Sequence, residues 1–231
     1  MLTAPQFSPE RLKSVLDRIE TAARKAGREP ASVRLLAVSK QQPAAAIAAA
    51  AAAGQREFGE NYVQEAVAKI EALGDAGLTW HFIGQLQGNK TRDVAERFQW
   101  VHTLDRERIA TRLSVQRPHY AGPLDVLLQV QLDAEPGKGG VEPGALPRLA
   151  EIVAGLPRLR LRGLMCIPEP ATDETSQRRP FRQLRELLDE LNARGHALDT
   201  LSMGMSADLE AAVAEGATIV RVGTAVFGPR D

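Results

Sequence analysis

Cysteine is nearly missing from this chain. One residue, Cys166, among 231 excludes an internal disulfide and a cysteine zinc cluster, and four scattered histidines do not supply the lost ligands, so no metal centre is expected. Charge of one sign is missing too. The 29 Lys and Arg balance the 29 Asp and Glu, so no net field draws the protein to nucleic acid or to an anionic membrane, and any anion site must be local. No long hydrophobic run is present: residues 44–53 are almost wholly alanine and too short to span a bilayer, and residues 1–10 hold no apolar signal core. Linker composition and two-residue hairpin turns between strand patterns are also absent. These absences predict a soluble, cytoplasmic protein, and 44% hydrophobic content is enough for a sizeable core.

What is present is an alternation. Ser8 precedes Pro9 at a first helical position, and Leu12, Val15, Leu16, Ile19 and Ala23 recur at helical spacing, predicting a helix over 8–27 ahead of the first strand. Leu35-Leu36-Ala37-Val38-Ser39-Lys40 reads as a buried strand. An alanine-rich helix runs from Pro43 to Gly54, with Ile47 its one large member. Arg56 to Asn61 is a strand followed by a helical stripe of Tyr62, Val63, Ala66, Val67, Ile70 and Leu73. The same unit repeats: strands at 79–83, 100–104, 124–132, 159–167, 200–203 and 218–222, with helices at 88–98, 106–115, 146–156, 181–194 and 207–216. Eight strands alternating with helices in about 250 residues predict an α/β fold, a single (β/α)8 TIM barrel over 1–231 with an extra N-terminal helix. A doubly wound open sheet is the alternative, but it needs a glycine-rich turn after its first strand, and Ser39-Lys40-Gln41-Gln42-Pro43 is not one.

In such a barrel, function sits at the C-terminal ends of the strands. The first strand delivers Lys40 there, and a lysine between low-dielectric walls can lose its proton and attack aldehydes. Asn61 lies on the same rim after the second strand. Around the third, Gln87, Asn89 and Lys90 could bind a polar ligand, whereas His81, inside the strand, reads as a hydrogen-bonded core residue. The last two strands close with Ser202-Met203-Gly204-Met205-Ser206 and Arg221-Val222-Gly223-Thr224-Ala225. Gly223 and Thr224 suit a phosphate, since glycine admits it to the backbone and threonine adds a hydroxyl; Ser206 reads as an N-cap and phosphate ligand together. Gly204 to Asp208 lacks the last glycine of a nucleophile elbow and has no histidine or acid placed to serve it, which argues against a serine hydrolase. A lysine aldehyde-catcher with a phosphate cradle describes a pocket for an aldehyde carrying a phosphate. Pyridoxal 5′-phosphate is the commonest such cofactor, and it binds by a lysine Schiff base. Arg221 would face its ring nitrogen and leave it unprotonated, which weakens the ring as an electron sink.

The chain resembles the pyridoxal-phosphate homeostasis protein family, whose barrel is shared with the N-terminal domain of alanine racemase. The matching stretches are Ala37 to Lys40, Phe58-Gly59-Glu60-Asn61-Tyr62, Trp80-His81-Phe82-Ile83-Gly84 with Leu86-Gln87 and Asn89-Lys90, Leu161 to Met165, Leu201 to Ser206 and Val220 to Thr224. The resemblance implies Lys40 as the covalent imine lysine, Ser202, Ser206, Gly223 and Thr224 around the phosphate, and Arg221 near the ring nitrogen. It also implies a protein that binds and buffers the cofactor with no established turnover. Gln131, the pair Gly137 and Gly139 around Lys138, and Cys166 depart from the family pattern.

The leading expectation is thus a carrier, a monomer that keeps pyridoxal phosphate out of solution and passes it to apo-enzymes dependent on that cofactor, with no catalytic residue of its own. The rival is a single-domain amino-acid racemase or decarboxylase. Enzymes of that class add a β-rich domain that supplies further groups, and this chain stops nine residues after its last strand, with Tyr62 and Tyr120 its only tyrosines. An aldolase acting on a sugar phosphate through Lys40 is a third reading, and it predicts no bound chromophore.

Overall fold

The computed structural model describes residues 7–133 and 139–229. Its strands are β1 (Arg34–Val38), β2 (Glu57–Glu60), β3 (Thr79–Phe82), β4 (Trp100–Leu104), β5 (Leu124–Gln129), β6 (Leu159–Met165), β7 (Thr200–Ser202) and β8 (Ile219–Val222). Each pairs in parallel with the next and β8 pairs with β1, so the expected closed eight-stranded barrel is the observed one. The helices are α1 (Pro9–Lys25), α2 (Ala44–Ala52), α3 (Val63–Leu73), α4 (Thr91–Arg97), α5 (Glu107–Gln116), α6 (Leu146–Ala154), α7 (Glu174–Ala193), α8 (Leu209–Ala214) and α9 (Thr224–Phe227).

The strands have two differently built faces. Leu35, Ala37, Phe58, Phe82, Val101, Val126, Leu128 and Leu164 join one large apolar layer with the helices, where Phe98, Phe181 and Phe227 are also fully buried. Complete burial of such a side chain contributes roughly 1.5 to 3 kcal/mol. The intervening positions form a separate interior: Trp100, Leu127 and Met165 make their own small cluster, and among them stand the buried polar residues His81, His102, Ser202 and Arg221. The period of two along a strand produces this division.

Helix α1 lays Leu12, Val15, Ile19, Ala22 and Ala23 against the barrel's outer layer. Phe7 meets Phe227 of α9 with ring centroids 6.2 Å apart, and Arg18 donates to both carboxylate oxygens of Glu210 on α8 at 2.9 Å.

Several boundaries differ from expectation for physical reasons. Helix α7 starts seven residues before the expected Phe181. Asp173 caps it by accepting the Ser176 N–H at 2.9 Å, and the helix tolerates Pro180 in its second turn, giving up one backbone bond. Tyr62 is not on the α3 stripe but at its N-cap, and exposed. Helix α8 begins at Leu209 with Asp208 at the cap, so Ser206 lies in the preceding turn and is not the N-cap. Strand β5 stops at Gln129 and β6 at Met165, because the chain beyond leaves the wall to form the rim.

Candidate functional site

Register sets which residues meet at the rim. Val38 pairs with Gly59 and Ala37 with Val222, so the chain leaving β1 at Lys40 has Asn61 on one side and the Gly223-Thr224 turn on the other. Neighbouring strands lie about 4.8 Å apart, which places these groups within a small ligand's dimensions. The lysine turn is braced from below. Ser39 donates its hydroxyl to Glu60 Oε1 at 2.6 Å, and Lys69 of α3 donates to the Ser39 carbonyl at 2.7 Å, to the same Glu60 oxygen at 2.7 Å and to Glu65 at 2.5 Å. Glu65 also accepts the Gln41 N–H, and Gln41 itself is held at φ +61. Burial pushes the Glu60 carboxyl up from its usual range, against the lowering effect of Lys69 and Ser39.

The other side of the rim is made by the turns after β7 and β8. Helix α9 starts directly after Gly223, and the first N–H groups of a helix have no intrahelical acceptor. Thr224 is exposed there. The β7 turn is folded tightly: Gly204 has φ +91, and a Cβ built on it would lie 2.4 Å from Ala212 Cβ. Asp208 accepts the Met205 N–H at 2.6 Å, the Gly204 carbonyl accepts the Arg221 N–H at 3.0 Å, and Arg18 of α1 donates to the Ser206 carbonyl at 3.1 Å. The extra N-terminal helix thus steadies the turn that carries Ser206.

Arg221 is 5% exposed. It donates to Ser202 Oγ and to the Cys166 carbonyl, both at 2.9 Å, and among the described residues no carboxylate reaches ion-pair distance of it. Burial pushes its guanidinium below the ordinary value. A polar column descends from it through the barrel. Ser202 Oγ lies 2.9 Å from His102 Nδ1, His102 Nε2 lies 2.9 Å from His81 Nδ1, and His81 Nε2 faces Glu57 Oε2 at 3.4 Å. Arg34 donates to the other Glu57 oxygen at 3.0 Å. Burial lowers both histidines, His102 the further, so the folded protein favours their neutral forms; the Glu57 carboxyl, raised by burial, is lowered overall by His81 and Arg34. Trp100 closes the bottom: His81 stacks on it with centroids 5.4 Å apart, and the Arg34 and Arg162 guanidinium carbons lie 5.2 and 5.1 Å from its ring.

Beside Asn61 a cavity of about 280 Å³ opens, lined by Ile83, Gln85, Thr103, Gln129, Gln131 and Cys166 among others. Asn61 Oδ1 is buried with no hydrogen-bond partner among the described residues. Gly84 is essential to this wall, because a Cβ there would lie 2.0 Å from the Asn61 carbonyl oxygen. Burial pushes the Cys166 thiol up to about 12. Of the departures from the family pattern, Gln131, Gly139 and Cys166 all line this cavity, while Gly137 and Lys138 lie outside the described residues.

Lys40, Asn61, Arg221, Gly223, Thr224 and Ser206 are therefore brought to one end of the barrel. Ser202 has its hydroxyl engaged by Arg221 and His102 inside the barrel, one layer beneath the turns that carry Ser206 and Gly223. The cavity takes Gln85, not Gln87, Asn89 or Lys90. Sequence reasoning missed Glu57, Glu60, Glu65, Lys69 and His102. His102 had a signal: it stands two residues after Trp100, which pairs with His81, so both histidines share the interior face.

The comparisons with known proteins agree with this architecture. The family model for the alanine racemase N-terminal domain matches residues 11–231, which defines the class of barrel. A pyridoxal phosphate homeostasis protein of Pseudomonas aeruginosa is 59% identical over 222 residues, covering 96% of this chain and 95% of that protein. One of Escherichia coli is 55% identical over 223 residues, covering 95% of each. Among solved structures, PipY of Synechococcus elongatus with pyridoxal phosphate bound superposes with a TM-score of 0.83 at 41% identity, covering 95% of this chain and 99% of that one. Alanine racemase from Corynebacterium glutamicum shares the fold at a TM-score of 0.72 and 16% identity, this chain covering 64% of it. The chain belongs to the pyridoxal phosphate homeostasis protein family.

Proposed function

We propose that this protein binds pyridoxal 5′-phosphate at the C-terminal rim of its barrel, as a Schiff base on Lys40, and acts in intracellular handling of the cofactor and its delivery to apo-enzymes, with little turnover of its own. The observation that carries the reading is Arg221, a buried guanidinium without a carboxylate partner among the described residues, set among a lysine, a helix start and a threonine hydroxyl. An unpaired buried charge costs several kcal/mol, and a ligand acceptor on Arg221 offsets that cost. The donor set fits the cofactor: an amine for the aldehyde, Gly223, Thr224 and Ser206 for the phosphate, Arg221 for the ring nitrogen and Asn61 beside the ring. Ser202 serves through Arg221.

Bound pyridoxal phosphate supplies an electrophilic carbonyl and an electron-accepting ring. The protein's own groups restrain that chemistry. Arginine is a donor that does not release its proton, so Arg221 keeps the ring nitrogen an acceptor and the ring a poor sink. Racemisation also needs a base on each face of the substrate, and Lys40 serves one. His81 and His102 are committed inside the barrel, and Tyr62 is exposed at a helix cap. The test is to incubate the loaded protein with alanine, serine and lysine in deuterated water and follow α-deuterium and enantiomer ratio. Exchange with inversion far below the usual enzymatic range of about 1 to 10³ per second supports the carrier. Inversion within that range, lost in Lys40→Ala, makes the protein a single-domain racemase instead.

A further inference from the structure

The interior column is more than a set of satisfied side chains, because chemistry fixes the direction of every bond in it. Arg221 only donates, so Ser202 Oγ is an acceptor at their 2.9 Å contact. At the far end the Glu57 carboxylate only accepts. His81 Nε2 and Glu57 Oε2 are buried, make no hydrogen bond among the described residues and face each other at 3.4 Å, a long contact that attracts only with the His81 proton on Nε2. A neutral His81 then presents Nδ1 as an acceptor, His102 must donate from Nε2, and its own Nδ1 must accept. The only proton left for that last contact is the Ser202 hydroxyl's. One proton per histidine satisfies all four contacts, and the neutral forms favoured by burial supply that number.

We propose that Glu57, His81, His102 and Ser202 form a one-directional hydrogen-bond relay along the barrel axis that positions Arg221 for the cofactor ring from the opposite end of the barrel. These four are positioning residues, and the proposal rests on the reading that Arg221 meets the ring nitrogen. Fixing the Ser202 hydroxyl toward His102 leaves its lone pair facing Arg221, and the Cys166 carbonyl holds the second guanidinium nitrogen. The plane of the guanidinium is then set before any ligand arrives, which lowers the ordering cost of binding. A polar column here is otherwise unfavourable, since this kind of barrel interior is ordinarily filled by branched apolar residues.

The relay is tested first in the ligand-free protein. Nitrogen NMR of histidine-labelled wild type at neutral pH should show two buried rings, each neutral with its proton on Nε2; a proton on Nδ1 of either ring, or a doubly protonated ring, overturns the proposal. Coupling to the site is then read with two ligands, pyridoxal phosphate and its 1-deaza analogue, which lacks the ring nitrogen. Ser202→Ala and Glu57→Leu should each weaken pyridoxal phosphate about tenfold and leave the deaza analogue within about twofold, while Glu57→Gln, whose amide oxygen still accepts, should recover most of the loss. Equal weakening of both ligands, or no weakening of either, reduces the column to a structural feature and overturns the positioning role. If Glu57→Leu does not fold, Ser202→Ala and the wild-type tautomers still decide. Wild type that binds neither ligand defeats the proposed function, and the ligand-free spectrum keeps that failure distinguishable from failure of the relay.

Discussion

The two faces of the same strands do opposite work. Outward, Leu35, Ala37, Phe58, Phe82 and Leu128 meet the helices in one large apolar layer. Inward, a few residues away on the same strands, Arg34, Glu57, His81, His102, Ser202 and Arg221 form a polar column with Trp100 as its floor. The outer face supplies most of the burial that keeps the barrel closed. The inner face accepts desolvation of two histidines, a carboxylate and the Arg221 guanidinium, and gains a fixed arginine under the rim. Stability and function are thus separated by one residue along the chain.

Truncating the outer layer should break the comparison most strongly on the stability side. Phe181→Ala, at a fully buried position of α7, should cost about 3 to 5 kcal/mol in urea denaturation while the folded fraction keeps its affinity for pyridoxal phosphate within about threefold. A large affinity loss would show that the layers are not independent.

At the rim the balance should invert. Thr224 is exposed, so Thr224→Val should leave stability nearly unchanged, yet it removes the proposed charge-assisted hydrogen bond to the phosphate, worth roughly 1.5 to 3 kcal/mol, about tenfold to a hundredfold in affinity. Unphosphorylated pyridoxal should hardly notice, and equal losses for both ligands would defeat the phosphate assignment.

Acid should sharpen the contrast from inside. Both column histidines are pushed below 6.5 in the folded protein, whereas the unfolded chain takes up their protons below about pH 6.5. Their neutral burial therefore contributes fully above that pH and is lost progressively as pH falls. Glu57, lowered in the folded state, contributes to acid sensitivity only nearer the carboxylate range, so the first loss of stability belongs to the histidines. Each contributes a slope of up to about 1.4 kcal/mol per pH unit, and His102→Phe should remove one such increment between about pH 6.5 and about pH 5.5 in urea titrations. An unchanged slope would mean that the ring is protonated in the fold.

The smallest expected effect is no effect. With its thiol pushed up to about 12 by burial, Cys166 should resist aromatic disulfide reagents in the folded protein and react only on denaturation, although it lines the cavity. Rapid native labelling would show that the cavity wall opens.

The outer layer was the legible part. Runs such as Leu35 to Val38 and Val126 to Leu128 announce buried strands whichever way each residue faces, and the alternation with helices implied closure. The position of Lys40, Asn61, Gly223 and Thr224 at the C-terminal rim was legible because each follows a strand. The column was not, because its members come from six strands whose mutual register no local pattern records. Ser202 illustrates the cost: resemblance grouped it with the residues expected around a phosphate, while the pleat turns its hydroxyl down toward His102. The bracing of Lys40 was hidden for another reason. Lys69 reads as a solvated helix lysine, and only the closeness of Ser39 and Glu60 gives it cause to be buried. The helix expected from Phe181 starts earlier because a helix of 20 residues can lose one backbone bond at Pro180 and persist.

The central claim, that the rim is a pyridoxal phosphate site built on Lys40, is tested most directly by adding the cofactor to the purified protein, reducing with borohydride and locating the modified residue by peptide mass analysis. The account predicts a yellow protein that loses its colour on reduction, with the pyridoxyl group on Lys40 alone, and neither colour nor adduct in Lys40→Ala. A wild type that stays colourless, or an adduct spread over surface lysines with Lys40 unmodified, would contradict it.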